Sequence, residues 1–187
     1  WRALARPARR LRVGAVVDLP AGIVAEVVGE ESEGVRRVRL TAGGRPLAEA
    51  LAEGGQVPLP PYIRRSLPDP ERYQTVYAKE AGSVAAPTAG LHFTPRLLET
   101  LKEKGVHIVS LLLHVGRGTF QPVETEDVRR HRMEAEYFVI PPETTRAVND
   151  AREKGRRVVA VGTTVTRTRE TSAHRHGRVE AGEGWTD

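Results

Sequence analysis

The sequence has 187 residues, 39% of them hydrophobic and 28% charged, and no cysteine. That describes a globular chain of one compact domain or two small ones, and it excludes disulfides, zinc–thiolate sites, iron–sulfur clusters and cysteine nucleophiles. Its 29 Lys and Arg against 24 Asp and Glu give a net charge of +5, built from arginine because only Lys79, Lys102, Lys104 and Lys154 are lysines. An arginine surplus suits phosphate contact, though compositional bias produces the same balance.

In chain order, three β-type runs come first: Arg12 to Leu19, Gly22 to Val28, and Val35 to Thr41. Turns rich in Gly and acidic residues separate them, so they predict an antiparallel sheet or part of a small β-barrel. Trp1 to Arg12 is arginine-rich and lacks the apolar core of a signal peptide. No apolar run approaches the roughly 18–20 residues of a membrane span, so a soluble, cytoplasmic protein is expected. The first residue is Trp1 and the only methionine is Met133, which reads as a piece of a longer protein.

Pro46 to Glu53 predicts a short helix stopped by Gly54-Gly55. Pro58-Leu59-Pro60-Pro61 then suits neither a helix nor a central strand and places a domain junction there. Beyond it the rhythm alternates helix with strand. Glu71 to Lys79 reads as a helix. Thr94-Pro95 caps another, with Leu97, Leu98 and Leu101 on one face and Gly105 as its stop. Val106 to Val115 reads as a buried strand and Ala135 to Ile140 as a further one. Pro141-Pro142-Glu143 opens a helix that runs to Gly155. Arg157 to Val161 reads as a strand feeding a last helix through Gly162-Thr163-Thr164. This alternation predicts an α/β layer with parallel pairings.

Four loops concentrate residues able to do chemistry. Gly82 to Thr94 carries Thr88 and Gly90 in a small-residue bend before His92, which suits an anion or a ribose, or simply a glycine-rich connection. His114, Gly116, Gly118, Thr119 and Phe120 follow a strand end, where ligands of α/β sheets bind and where His suits proton transfer; a structural His fits the same place. His131 precedes Glu134 and Glu136, two carboxylates on one face of a strand, suited to general-base work or to a solvated edge. They lack any recognised metal-ligand spacing, so no metal site is expected. Gly162, Thr163 and Thr164, with Arg167 beyond, offer hydroxyls, backbone N–H groups and a positive helix end to a phosphate or carboxylate; ordinary threonine N-capping is the plainer use. The Walker, GxGxxG and GxSxG patterns are absent.

Taken together and in order, Pro58-Leu59-Pro60-Pro61-Tyr62-Ile63, Arg72 to Ala78, Gly82 to Thr94, His114-Val115-Gly116 with Gly118-Thr119-Phe120, His131-Arg132-Met133 and Val161-Gly162-Thr163-Thr164 closely resemble one family. It is the S-adenosylmethionine:tRNA ribosyltransferase-isomerase family of queuosine biosynthesis. The likeness is dense from Pro58 to Arg167 and looser over Trp1 to Val57, and Gly184-Trp185-Thr186-Asp187 matches a further family motif. The sequence departs from the pattern at Glu134, where a second His is frequent, at Val165 for Ser and at Leu112 for Thr, so no role is placed on those positions.

The resemblance implies an α/β catalytic domain over residues 58–187 beside a partial, small antiparallel β-barrel domain over residues 1–57. It implies an enzyme that moves and isomerises the ribosyl moiety of S-adenosylmethionine onto 7-aminomethyl-7-deazaguanine in the tRNA wobble position, forming epoxyqueuosine and releasing adenine and methionine. S-adenosylmethionine is then a co-substrate, with no tightly held cofactor, and the modified tRNA is the partner of a monomer. Under that reading His92 and His114 are candidates for proton transfer, with Glu136 behind them. Gly162, Thr163, Thr164 and Arg167 would hold the methionine carboxylate. Tyr62, Tyr73 or Phe120 would stack on the unstacked base. Thr88, Gly90, Gly116, Gly118, Thr119 and His131 complete the substrate-binding set. Two rivals stand beside it. An S-adenosylmethionine-dependent tRNA methyltransferase would leave S-adenosylhomocysteine and no adenine. A non-catalytic RNA-binding fragment would bind tRNA and consume nothing.

Overall fold

A computed structural model describes residues 1–31, 34–60, 62–65, 67–120, 125–130 and 133–186; of Arg117, Phe120 and Val128 only the backbone is described. The chain divides into two compact units, Trp1–Gln56 and Val57–Asp187.

The first unit is an antiparallel sheet of four strands, β1 (Arg2–Leu4), β2 (Val16–Leu19), β3 (Ile23–Glu30) and β4 (Val35–Thr41), in the order β1-β4-β3-β2. Alternation builds β3: Ile23, Ala25 and Val27 point inward while Glu26 and Glu30 stay outside, as period-two patterning requires. The register shifts between Val27 and Gly29, leaving Val28 as a bulge. Helix α1 (Leu47–Gly54) closes the core on Ile23, Ala42 and Ala50. Gly54 is obligatory here, because a Cβ would lie 2.8 Å from the Pro20 carbonyl oxygen. The expected barrel does not close: among the described residues β1 and β2 remain edges of an open sheet. The β1 strand was not foreseen, because the three residues Arg2-Ala3-Leu4 are too few to carry a strand pattern; it exists through pairing with Val35, Arg36 and Arg37.

In the second unit, α2 (Pro95–Glu103), β5 (Leu112–Leu113), β6 (Tyr137–Ile140), α3 (Pro142–Glu153), α4 (Thr163–His176) and β7 (Gly182–Trp185) follow in order. Thr94 caps α2 by accepting from the Leu97 N–H at 3.1 Å, and Pro141-Pro142 opens α3. Leu113, Val115, Phe138, Ile140, Val148 and Val179 make the core, with Ala85 and Val158 packed against it.

Three expectations need correction. The sheet runs β5-β6-β7 with antiparallel pairings, not the parallel ones read from alternation; β7 (Gly-Glu-Gly-Trp) has no strand propensity of its own and forms through its register against β6. Of Val106 to Val115 only Leu112–Leu113 is strand, with the His114 N–H donating on to the Tyr137 carbonyl at 2.8 Å, and Arg157 to Val161 forms no strand among the described residues. Glu71 to Lys79 is not a helix but one 3-10 turn, Pro70–Tyr73, capped by the Asp69 carboxylate. Gln74 is already extended at φ −131, and the β-branched Thr75 and Val76 that follow disfavour helix.

Candidate functional site

A cavity of about 460 Å³ opens in the second unit, within the roughly 300–1,000 Å³ of small-molecule sites. One wall is the small-residue loop Ala85 to Ala89. That loop is tied alongside the end of β5: the Val84 N–H donates to the Val115 carbonyl at 2.8 Å, and Ser83 Oγ accepts from the Val115 N–H at 3.2 Å. Ala and Pro in this loop let its backbone sit close, and Gly90 completes the fold-back because a Cβ there would overlap the Tyr77 hydroxyl.

A second wall, meeting the first at Ala89, is the start of α4. Gly162 sits at φ +92, ψ 154, a backbone region essentially restricted to glycine, and a Cβ on it would lie 3.8 Å from Ala89. No side chain caps this 14-residue helix. Its first-turn N–H groups therefore keep the positive end of the helix dipole toward the cavity that Thr163 and Thr164 line. Tyr62, Tyr73 and Thr119 line the cavity as well. Burial, and secondarily the neighbouring Tyr62, push the Tyr73 phenol above its usual value near 10, so at neutral pH it is a hydrogen-bond donor.

The floor is Glu136, 5% exposed. Its Oε1 accepts from the Gly116 N–H at 2.8 Å, and its Oε2 pairs with Arg167 at 2.6 Å. Arg167 donates in turn to the Glu134 carbonyl at 2.8 Å. Thr186 fixes the Glu136 backbone in both directions: its Oγ1 accepts from the Glu136 N–H at 3.0 Å, and its N–H donates to the Glu136 carbonyl at 2.9 Å. A carboxylate with both oxygens so engaged orders Gly116 and Arg167.

The structure thus gathers Tyr62, Tyr73, Thr88, Thr119, Glu136, Gly162, Thr163 and Thr164 around one cavity, with Gly116 and Arg167 held beneath through Glu136 and Gly90 in the adjoining turn. Gly118 lies beside Glu134, where a Cβ would make only ordinary contact at 3.9 Å. Neither histidine lines the cavity. His92 is exposed at the end of the turn Thr88–His92. His114 alternates away from Leu113 and Val115, stacking on Tyr137 with ring centroids 5.9 Å apart. Its ring needs Gly82, whose Cβ would come within 2.6 Å of it, and its Nδ1 is buried with no partner among the described residues. His131 and the Phe120 side chain lie outside the described residues. The bend Pro87 to Gly90 was legible as a small-residue cradle, while Ala85 and Val115 were not singled out as walls, since buried apolar residues give no chemical signal. Sequence reasoning quoted Thr186 within a motif but not its tie to Glu136. Among the described residues no group of three or more His, Asp or Glu is placed to hold a metal ion, and no helix is long and apolar enough to cross a membrane.

Comparison with known proteins gives consistent matches. The family model described as queuosine biosynthesis protein matches residues 1–187. The chain is 54% identical over 191 residues to the S-adenosylmethionine:tRNA ribosyltransferase-isomerase of Heliobacterium modesticaldum, covering 100% of this chain and 55% of that protein. It is 50% identical over 188 residues to the protein of the same description from Natranaerobius thermophilus, covering 100% and 54%. A solved S-adenosylmethionine tRNA ribosyltransferase from Thermotoga maritima aligns at 27% identity over 100% of this chain and 47% of its own, with a TM-score of 0.38, too low to support an argument about fold. The chain spans about half the length of the curated relatives it matches.

Proposed function

Because this chain belongs to the queuosine biosynthesis protein family, we propose that the protein carrying it is an S-adenosylmethionine:tRNA ribosyltransferase-isomerase. It moves the ribosyl carbons of S-adenosylmethionine onto the aminomethyl group of 7-aminomethyl-7-deazaguanine in tRNA and rebuilds them as an epoxycyclopentanediol. The observation that carries this reading is the 50–54% identity to proteins of that description along the whole chain. The reading brings with it a cytoplasmic address, a monomer, and a catalytic role for residues 58–187 with residues 1–57 as an accessory domain.

The reaction makes stated demands on the cavity. A proton must leave the ribose carbon next to the sulfonium, adenine must depart with a proton, the amine must attack, and epoxide closure must expel methionine. The uncapped start of α4, with Thr163 and Thr164, is suited to the methionine carboxylate. Tyr62 and Tyr73 offer rings to a nucleobase. Arg167 and Glu136 hold the floor to which Gly116 is tied, and Thr119 lines the same cavity. His92, exposed one turn beyond Thr88, is our first candidate for proton transfer, and His114 a positioning residue through its ring packing. Thr88, Gly90 and Gly118, with His131 and Phe120, complete the proposed substrate contacts.

The test is incubation with S-adenosylmethionine and tRNA bearing the aminomethyl base. Free adenine and methionine, together with the added mass on the tRNA, are expected. S-adenosylhomocysteine without adenine makes the protein a methyltransferase instead. Salt-sensitive tRNA binding with no turnover, from this chain and from its full-length form alike, leaves only an RNA-binding module. His92→Ala is expected to slow adenine release about 100-fold or more, the range of general acid–base catalysis.

A further inference from the structure

Within the second unit, residues 106–111 and 156–161 leave the preceding helix in the same way. The preceding helices both end in Glu-Lys-Gly, α2 at Glu103-Lys104-Gly105 and α3 at Glu153-Lys154-Gly155. Gly105 (φ +78) and Gly155 (φ +63) take the left-handed conformation. Their N–H groups donate to Lys102 and Arg152 at 2.8 and 3.0 Å, and the next N–H groups, of Val106 and Arg156, donate to Leu101 and Ala151 at 3.0 and 2.7 Å. Each cap is a Schellman-type stop that releases a β-branched, apolar run.

Neither run is paired. Among the described residues, no backbone hydrogen bond reaches the N–H groups of 107–111 or of 157–161, although each run is free of turn and bend. Nor can β6 take up the first. Leu112 faces Val139, so Ser110 falls opposite Pro141, where β6 has ended and no N–H exists. The second run has two faces: Val158 packs on the core while Val159 is 79% exposed, and in the first run His107 is exposed and Val109 half-buried. Val106 and Ile108 are exposed as well, at 47% and 39%.

Thr144 Oγ1 of α3 donates to the Ser110 carbonyl, but the N–H groups of both runs lack a backbone partner among the described residues, and apolar runs with unmatched N–H groups are a template for strand addition. The relatives extend well beyond the matched span, which is 55% and 54% of their length. We propose that 106–111 and 156–161 are strand edges that receive a strand from the part of the polypeptide the relatives carry outside this span. Both runs lead to the cavity, the first through Val115 and the second through Gly162. A strand laid along them therefore brings one of its ends to the cavity mouth, and the site gains residues from outside these 187.

The test is hydrogen exchange followed by mass spectrometry on this chain and on the full-length Heliobacterium modesticaldum relative. In the relative, amides equivalent to 107–111 and 157–161 are expected to exchange at least about 100-fold more slowly than in this chain, at rates near those of β6 and unchanged on dilution. Equal rates in the two proteins overturn the proposal. Protection that disappears on dilution overturns it too, since a second copy then supplies the pairing. A proline at the position equivalent to Val159 gives an independent check: it is expected to lower the Tm of the relative while Val159→Pro leaves that of this chain unchanged, and an equal effect on both refutes the pairing. Adenine release is read separately, so failure of the catalytic reading does not alter what exchange says about the edges.

Discussion

Replacing Arg167 with Met tests the floor of the cavity most directly. Among the described residues, Arg167 and Glu136 form the ion pair with both side chains mostly removed from water, 19% and 6% exposed. Met keeps the length of the side chain and removes the charge. The Glu136 carboxylate then retains the Gly116 N–H as its side-chain partner and stays buried beneath the cavity. Leaving one ion of a buried pair uncompensated costs about 3–5 kcal/mol. For a chain of this size, about 2–4 °C per kcal/mol converts that into a Tm lower by about 6–20 °C. Urea unfolding of the parent, Arg167→Met, Glu136→Gln and the double variant separates the pair from its surroundings. The double variant is expected to be more stable than the sum of the single effects predicts, by about 1–3 kcal/mol. An Arg167→Met variant within about 0.5 kcal/mol of the parent, or strict additivity in the double variant, refutes the account of Glu136 as a charge held by Arg167.

Three further outcomes follow from the same geometry. Gly162→Ala places a Cβ at φ +92 and is expected to cost about 1–3 kcal/mol; calorimetric titration should also show weakened S-adenosylmethionine binding, because the first turn of α4 must shift. Thr94→Ala removes the acceptor for the Leu97 N–H and should lower stability by about 0.5–2 kcal/mol, read from the urea midpoint. Burial raises the Tyr77 phenol and the hydrogen bond to Glu183 raises that of Tyr137, both above the usual 10.0. The folded chain therefore keeps protons the unfolded chain has released, so this contribution is intact below pH 10 and is lost as pH rises through the folded values. An ultraviolet titration placing both tyrosines at or below 10 contradicts it.

Much of the local structure was legible because its causes are local. Thr94-Pro95 and Gly105 bound α2, Pro141-Pro142 and Gly155 bound α3, and a cap needs no distant partner. The loops that meet at the cavity were legible as well, since Thr88, Thr119 and Gly162 to Thr164 carry polar groups where glycine frees the backbone or proline bends it. Strand partners were not legible. Alternating helix and strand suggested parallel pairing, yet β6 is flanked by antiparallel β5 and β7; direction depends on which segments meet, and periodicity is silent on that. For the same reason the N–H groups of two apolar runs read as strands have no backbone partner among the described residues.

The sequence by itself determined the limits of α2 and α3, the lack of cysteine in these residues and the family to which the chain belongs, because each rests on residue identity and short spacing. Tertiary structure alone decided that Glu136 is bound by Gly116 and Arg167, and that His114 turns to Tyr137 and away from the cavity. It also decided that Ala89 meets Gly162. Those facts depend on side chains 20 to 73 positions apart sharing a few ångströms, a distance that folding sets and sequence separation does not encode.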